Sequence, residues 1–95
     1  MAAYIAGELR AGGFPAADIR ILPLRDSASL VVRYRGDGRG GKPILLLSHM
    51  DVVDAKREDW KRDPFTLIEE SGYFFGRGTY DVKSGVASLV TTFLR

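Results

Sequence analysis

The sequence predicts an α/β domain in which a sheet is flanked by helices. Apolar residues recur at helical spacing near both ends of the chain, over residues 2–9 and 82–94. Between these segments lie several short, β-branched or apolar runs of strand length. Helices and strands that are mixed along one chain pack as layers around a shared core. The apolar share of 45% and the aromatic share of 11% are sufficient for such a core.

The first half of the chain contains one predicted helix and three predicted strands. Ala2–Leu9 has the spacing of an amphipathic helix, and Gly12-Gly13 follows it as a stop signal. Ile19–Leu22 and Ser29–Arg35 are predicted as strands because they are rich in β-branched or apolar residues. Ile44–Leu47 is continuously apolar, which predicts a strand in the middle of a sheet that is covered on both faces.

The second half contains a predicted hairpin and a final helix. Phe65–Ile68 and Tyr73–Phe75 flank a polar stretch that ends in Gly72, which indicates a hairpin. From Val82 to Leu94, apolar residues recur at i, i+4, i+7, i+8, i+11 and i+12, which predicts a core-facing helix. This stripe continues up to Arg95 without a capping residue. We therefore expect the chain to be part of a larger domain that is incomplete at its C-terminus.

Composition and charge narrow the function classes. The net charge is +2, and basic residues are interleaved with acidic ones, which argues against nucleic-acid binding. No apolar run approaches the roughly 20 residues of a membrane span. No signal sequence is visible, so we expect a cytoplasmic protein by default, unless the N-terminus is truncated. The chain has no cysteine, so histidine, carboxylate or water must supply any metal ligands.

His49 and Asp51 follow the most apolar predicted strand. Loops at the carboxyl ends of strands converge on ligands in open α/β sheets. Histidine is the commonest metal ligand, and its second ring nitrogen usually needs a carboxylate or carbonyl partner. His49 as ligand and Asp51 as its partner would satisfy both requirements, although a lone histidine after a strand is more often structural.

Asp81 precedes the final helix in a glycine-rich segment. Gly76 and Gly78 permit a tight backbone path before it. An aspartate at this place is most often an N-cap that accepts hydrogen bonds from free helix amides. Alternatively, its carboxylate faces the same edge as His49 and binds metal. For Arg77, which lies between the glycines, we expect a loop-fixing hydrogen bond rather than a contact to a substrate carboxylate.

Three motifs in one order resemble a known family. They are His-x-Asp-Val-Val from His49, Trp-x-x-Asp-Pro-Phe from Trp60, and Gly-Arg-Gly-Thr-x-Asp-x-Lys-x-Gly from Gly76. This order is similar to that of the zinc aminoacylase and carboxypeptidase family of metallopeptidases, and the resemblance extends from about Pro43 to Leu94. It implies that residues 1–95 are the N-terminal part of a zinc-peptidase-like catalytic domain, without the second domain that serves as lid or dimerisation domain.

The resemblance also implies the roles of the site residues. His49 would ligate one zinc ion, Asp81 would bridge two zinc ions, and Asp51 would support catalysis by tuning His49. Cobalt or manganese are alternative metals. The implied reaction is hydrolysis of an amide bond, in a small peptide or an N-acyl amino acid, by metal-activated water. The general-base Glu-Glu pair and the later ligands of the family are not matched, because Glu69-Glu70 precedes the glycine-rich motif. We therefore expect the chain alone to be inactive.

Two other classes remain open. Gly36–Lys42 matches G-x-x-x-x-G-K and contains G-x-G-x-x-G, but both nucleotide motifs need a helix directly after the loop, where Pro43 begins a predicted strand. A non-catalytic interaction module is the second alternative. Apolar faces left uncovered in a partial domain would favour self-association into a homo-oligomer.

Overall fold

The computed structural model describes all 95 residues, which form two compact units. The first unit contains residues 1–46 and 89–95, and the second contains residues 47–88. The mixed helices and antiparallel strands confirm the α/β class. None of the helices has both the length and the apolar character needed to span a lipid bilayer. The elements in chain order are α1 (Ala2–Ala11), β1 (Ile19–Leu24), β2 (Ser27–Val32), β3 (Ile68–Glu70), β4 (Tyr73–Phe75) and α2 (Ser84–Leu94).

The first unit has a small apolar core between α1 and the β1–β2 hairpin. Ile5, Ala6 and Leu9 of α1 and Ile19 of β1 are its buried apolar residues. Spaced three and four residues apart, the three α1 residues lie on one face, as the periodicity predicts. The strands are antiparallel, and Ile19 pairs with Val32. The predicted helix and both predicted strands are confirmed, with boundaries shifted by a few residues.

Two further clusters stabilise the first unit. The rings of Phe14, Tyr34 and Phe93 lie within 5.9–6.0 Å of one another, in stacked and edge-to-face arrangements that aromatic pairs favour. The buried carboxylate of Asp18 accepts hydrogen bonds from Arg33 at 2.9 Å and Arg35 at 2.7 Å. These hydrogen bonds favour the ionised form and so lower the pKa of Asp18. Arg35 contributes more to this effect than Arg33.

The second unit contains little regular structure apart from the β3–β4 hairpin. Its two strands are antiparallel, and Ser71 and Gly72 connect them with positive φ angles of 52° and 80°, as in a type I′ turn. The predicted hairpin is thus confirmed, although Glu69-Glu70 belongs to β3 rather than to the turn. Pro64 and Gly78 are the buried residues of this unit, so packing between loops forms its interior.

The prediction of a central strand is wrong, whereas the final helix is confirmed with a later start. Ile44–Leu47 forms no strand, and its side chains are 51–86% exposed. A strand needs a neighbour with free ladder groups, whereas each observed strand pairs only within its own hairpin. The final helix begins at Ser84 rather than Val82, whose backbone is non-helical, and none of its residues is fully buried. Val86, Leu89, Val90 and Phe93 of its apolar stripe are half-buried, and Phe93 packs against Phe14 and Tyr34.

Candidate metal centre

His49 lies in an irregular segment, residues 47–54, which we call the His49 segment. Its Nδ1 is 3.1 Å from the main-chain oxygen of Asp51. A carbonyl oxygen can only accept a hydrogen bond, so Nδ1 carries the hydrogen in this contact. The Asp51 carboxylate is farther away, at 3.6 Å, and is 92% exposed. The Asp51 main chain therefore orients the imidazole, where the sequence suggested the carboxylate.

Asp81 is carried by a hydrogen-bonded loop, Gly76–Lys83, which we call the Asp81 loop. The amide of Thr79 donates to Gly76 O at 3.4 Å, and the amide of Lys83 donates to Gly78 O at 3.1 Å. Gly78 has a φ of 84°, a conformation that glycine adopts readily because it lacks a Cβ. These bonds leave Asp81 with a non-helical backbone at φ −106° and ψ 97°.

Glycine also brings the two halves of the site together. A Cβ on Gly78 would lie 2.5 Å from Val52 Cγ1, so the Asp81 loop packs directly on the His49 segment at this point. A Cβ on Gly85 would lie 3.7 Å from the Ser48 hydroxyl. The glycines before Asp81 are visible in the sequence, but these partners are not, because packing between distant segments leaves no local signal.

The structure brings His49 and Asp81 into contact. His49 Nε2 is 3.3 Å from Asp81 Oδ1. Because Nδ1 carries the hydrogen in its contact with Asp51, the Nε2 of a neutral imidazole presents a lone pair to a carboxylate. Two acceptors at this distance repel each other unless a proton or a metal cation lies between them. Both side chains are also accessible, since His49 is 54% and Asp81 79% exposed.

The two donors fit zinc in chemistry and in spacing. Zinc is bound by histidine nitrogen and carboxylate oxygen at about 2.0–2.2 Å, so two donors at the tetrahedral angle are about 3.3–3.6 Å apart. The distance of 3.3 Å between Nε2 and Oδ1 falls in that range. Asp51 lies at the opposite nitrogen of the ring and does not join them. No group of three or more potential metal-binding side chains is formed, whereas catalytic zinc typically has three protein ligands.

Two alternative interpretations find no geometric support. The N-cap role of Asp81 fails, because its carboxylate accepts no backbone hydrogen bond and α2 begins three residues later. The nucleotide-binding interpretation of Gly36–Lys42 lacks its required context, since no helix follows the loop. Glu70 pairs with Arg62 of the hairpin region, so the Glu69-Glu70 pair does not belong to the site.

Sequence comparisons give the chain a family and several relatives. The model of Peptidase family M20/M25/M40 matches residues 45–95. A probable succinyl-diaminopimelate desuccinylase of Staphylococcus aureus is 45% identical over 76 residues, which are 78% of this chain and 18% of that protein. An acetylornithine deacetylase of Pasteurella multocida is 37% identical over 86 residues, which are 90% of this chain and 22% of that protein. The chain spans about a fifth of the length of these curated relatives. No solved structure matches it significantly.

Proposed function

Because the chain belongs to Peptidase family M20/M25/M40, we propose that it is the N-terminal part of the catalytic domain of a di-zinc amide hydrolase. One observation carries this proposal: His49 Nε2 and Asp81 Oδ1 lie 3.3 Å apart, which is the spacing of two donors on one zinc ion. The names of the relatives, a desuccinylase and a deacetylase, favour an N-acyl amino acid over a peptide as substrate.

Each residue of the site has a separate task in this proposal. His49, through Nε2, and Asp81, through its carboxylate, would hold the zinc ions. The main-chain oxygen of Asp51 holds the hydrogen on Nδ1, so the lone pair of Nε2 stays directed at the metal position. The exposed Asp51 carboxylate adds negative charge beside the ring and strengthens the imidazole as a ligand. When bound, the zinc pair supplies a water of lowered pKa and polarises the amide carbonyl.

The chain alone supplies too few ligands for turnover. Its two adjacent donors are fewer than the three protein ligands typical of catalytic zinc, so we expect weak zinc binding and no hydrolysis. The remaining ligands and the general base would come from further residues of the protein. Turnover of an N-acyl amino acid by the purified 95-residue chain would contradict this part of the proposal.

Zinc titration of the purified chain tests the site directly. His49 is the only histidine, so its ring-proton NMR signals report on this imidazole without ambiguity. We expect saturable zinc-dependent shifts that Asp81→Asn weakens by at least about ten-fold, the scale on which single groups around a metal act. Glu69→Gln, which removes an exposed carboxylate of the same unit, should leave the affinity unchanged. Equal affinities for wild type and Asp81→Asn would exclude Asp81 as a ligand.

Self-association is a second candidate behaviour, favoured by one observation. The four consecutive side chains of Ile44–Leu47 are 86%, 78%, 51% and 81% exposed, which is unusual for an apolar run of this length. We propose that such a run associates between copies in the isolated chain. Sedimentation velocity should show dimers or larger species that Leu45→Lys disperses. A wild-type chain that stays monomeric at high concentration would dispose of this candidate.

A further inference from the structure

Arg77 connects the two segments that carry the candidate ligands. Its Nη2 donates to the main-chain oxygen of Asp54 at 3.4 Å, at the end of the His49 segment. Its own amide donates to Pro64 O at 2.7 Å, and Pro64 is one of the two buried residues of this unit. Arg77 itself belongs to the Asp81 loop. A single residue thus makes polar contacts from one site segment to the other and to the interior between the loops.

The guanidinium of Arg77 is also held by an aromatic ring. Its Cζ lies 5.0 Å from the centroid of Trp60, within the range of a cation–π contact. A planar guanidinium can stack on a ring and donate hydrogen bonds in its plane at the same time, which a lysine ammonium cannot do. The Nε of Arg77 is buried without a hydrogen-bond partner. The guanidinium therefore lies over the Trp60 ring even though one of its donors is unsatisfied.

We propose that Arg77 is a positioning residue for Asp81, which holds the Asp81 loop against the His49 segment and so sets the separation of the two metal-binding side chains. The inference rests on the proposed zinc site and adds a residue to it. The physical link is short. Arg77 adjoins Gly78, Gly78 O accepts the amide of Lys83, and Asp81 lies inside this closed turn. When the contacts of Arg77 are removed, the Asp81 loop loses the close packing of Gly78 on Val52. Asp81 then moves together with the loop.

The chain offers a matched control for this test. Arg62 is also half-buried, also lies over an aromatic ring, with its Cζ 4.1 Å from the centroid of Phe75, and also has one buried nitrogen without a partner. It pairs with Glu70 of β3, so its contacts belong to the hairpin rather than to the Asp81 loop. Arg77→Met and Arg62→Met therefore remove the same charge and the same type of contact from two different places.

Two measurements on the full chain decide the matter. Without metal, Arg77→Met should speed amide hydrogen exchange at Thr79 and Lys83 by about ten-fold, because local opening of the loop becomes easier. In a titration with zinc alone, observed at the ring protons of His49, Arg77→Met should weaken zinc binding by about ten-fold. Arg62→Met should change neither quantity by more than about two-fold, since the contacts of Arg62 belong to the hairpin and not to the Asp81 loop. Arg77→Lys should recover part of both losses, because it keeps the charge but not the planar fork.

The possible results separate this inference from the proposed function. If the amide hydrogen exchange rates of Thr79 and Lys83 are unchanged in Arg77→Met, the inference is overturned, regardless of the zinc affinity. Faster exchange with unchanged zinc affinity also overturns it, because Arg77 then holds the loop without positioning Asp81. A wild-type chain that binds no zinc at His49 refutes the zinc site, and the exchange rates alone then show whether Arg77 holds the loop. Loss of zinc binding in both arginine variants would indicate general destabilisation and would also contradict the inference.

Discussion

Gly78→Ala is the substitution whose effect the structure specifies most closely. Gly78 is buried with a φ of 84°, and an added Cβ would lie 2.5 Å from both Val52 Cγ1 and Lys83 Nζ. The left-handed backbone costs alanine about 1–2 kcal/mol relative to a residue without a Cβ. Overpacking against neighbours that cannot withdraw costs a further 1–3 kcal/mol or so. Lys83 can swing away, but the short, branched Val52 cannot, so the steric cost remains. We expect a total loss of about 2–5 kcal/mol.

Gly72→Ala separates the two contributions. Gly72 has nearly the same φ, 80°, but an added Cβ would meet nothing within 4 Å. It should therefore show only the backbone cost of about 1–2 kcal/mol. Urea unfolding followed by the fluorescence of Trp60, the only tryptophan and a residue of the same unit, measures both variants. At about 0.05–0.15 kcal/mol per residue, this unit has only about 2–6 kcal/mol of stability, so Gly78→Ala removes most of it.

The difference between the two variants is the decisive quantity. A Gly78→Ala chain that is less stable than Gly72→Ala by at least about 1 kcal/mol supports the close packing of the Asp81 loop on the His49 segment. Equal losses would show that Val52 does not pack against Gly78. That result would refute the reasoning that places Asp81 beside His49, because the same packing joins their segments.

Two further predictions concern the first unit. Leu9→Ala should cost about 2–5 kcal/mol in urea unfolding followed by circular dichroism, because Leu9 is the largest fully buried side chain. Leu24→Ala, at a position 70% exposed, should stay within about 0.5 kcal/mol, and equal effects would contradict the proposed core. Asp18 has a lowered pKa because Arg35 and Arg33 donate to it. Its stabilisation is therefore present above its unfolded pKa of about 3.9 and is lost as the pH falls through the lower folded pKa. The melting-temperature advantage of wild type over Asp18→Asn should shrink below about pH 4, and an advantage independent of pH would contradict the ion pairs.

Local periodicity predicted those elements that depend on local contacts. The spacing of Leu9 from Ala6 and Ile5, three and four residues, identified α1, and Gly72 marked the turn of the β3–β4 hairpin. The prediction failed for Ile44–Leu47, which is apolar enough for a buried strand. Apolar character reports how much burial a segment favours, whereas a strand also needs a partner with free backbone groups. In this structure neither two-stranded hairpin pairs with the segment along its free edge.

For the candidate site, too, the sequence predicted some features and not others. The motifs predicted His49 and Asp81 as metal ligands, and the structure places the two side chains 3.3 Å apart. Sequence could not predict that Nδ1 would bind the main-chain oxygen of Asp51 instead of its carboxylate, because that choice depends on backbone geometry within about 0.5 Å. It also could not predict the stacking of Arg77 on Trp60, residues that lie far apart in sequence.

Zinc-edge anomalous scattering from crystals of the chain soaked in zinc is the most direct test of the site. We expect one anomalous peak that lies about 2.0–2.2 Å from both His49 Nε2 and Asp81 Oδ1, since those are the bond lengths of zinc to imidazole and carboxylate. No peak between these two atoms, or a peak bound only by other carboxylates, would contradict the assignment of His49 and Asp81 as metal ligands.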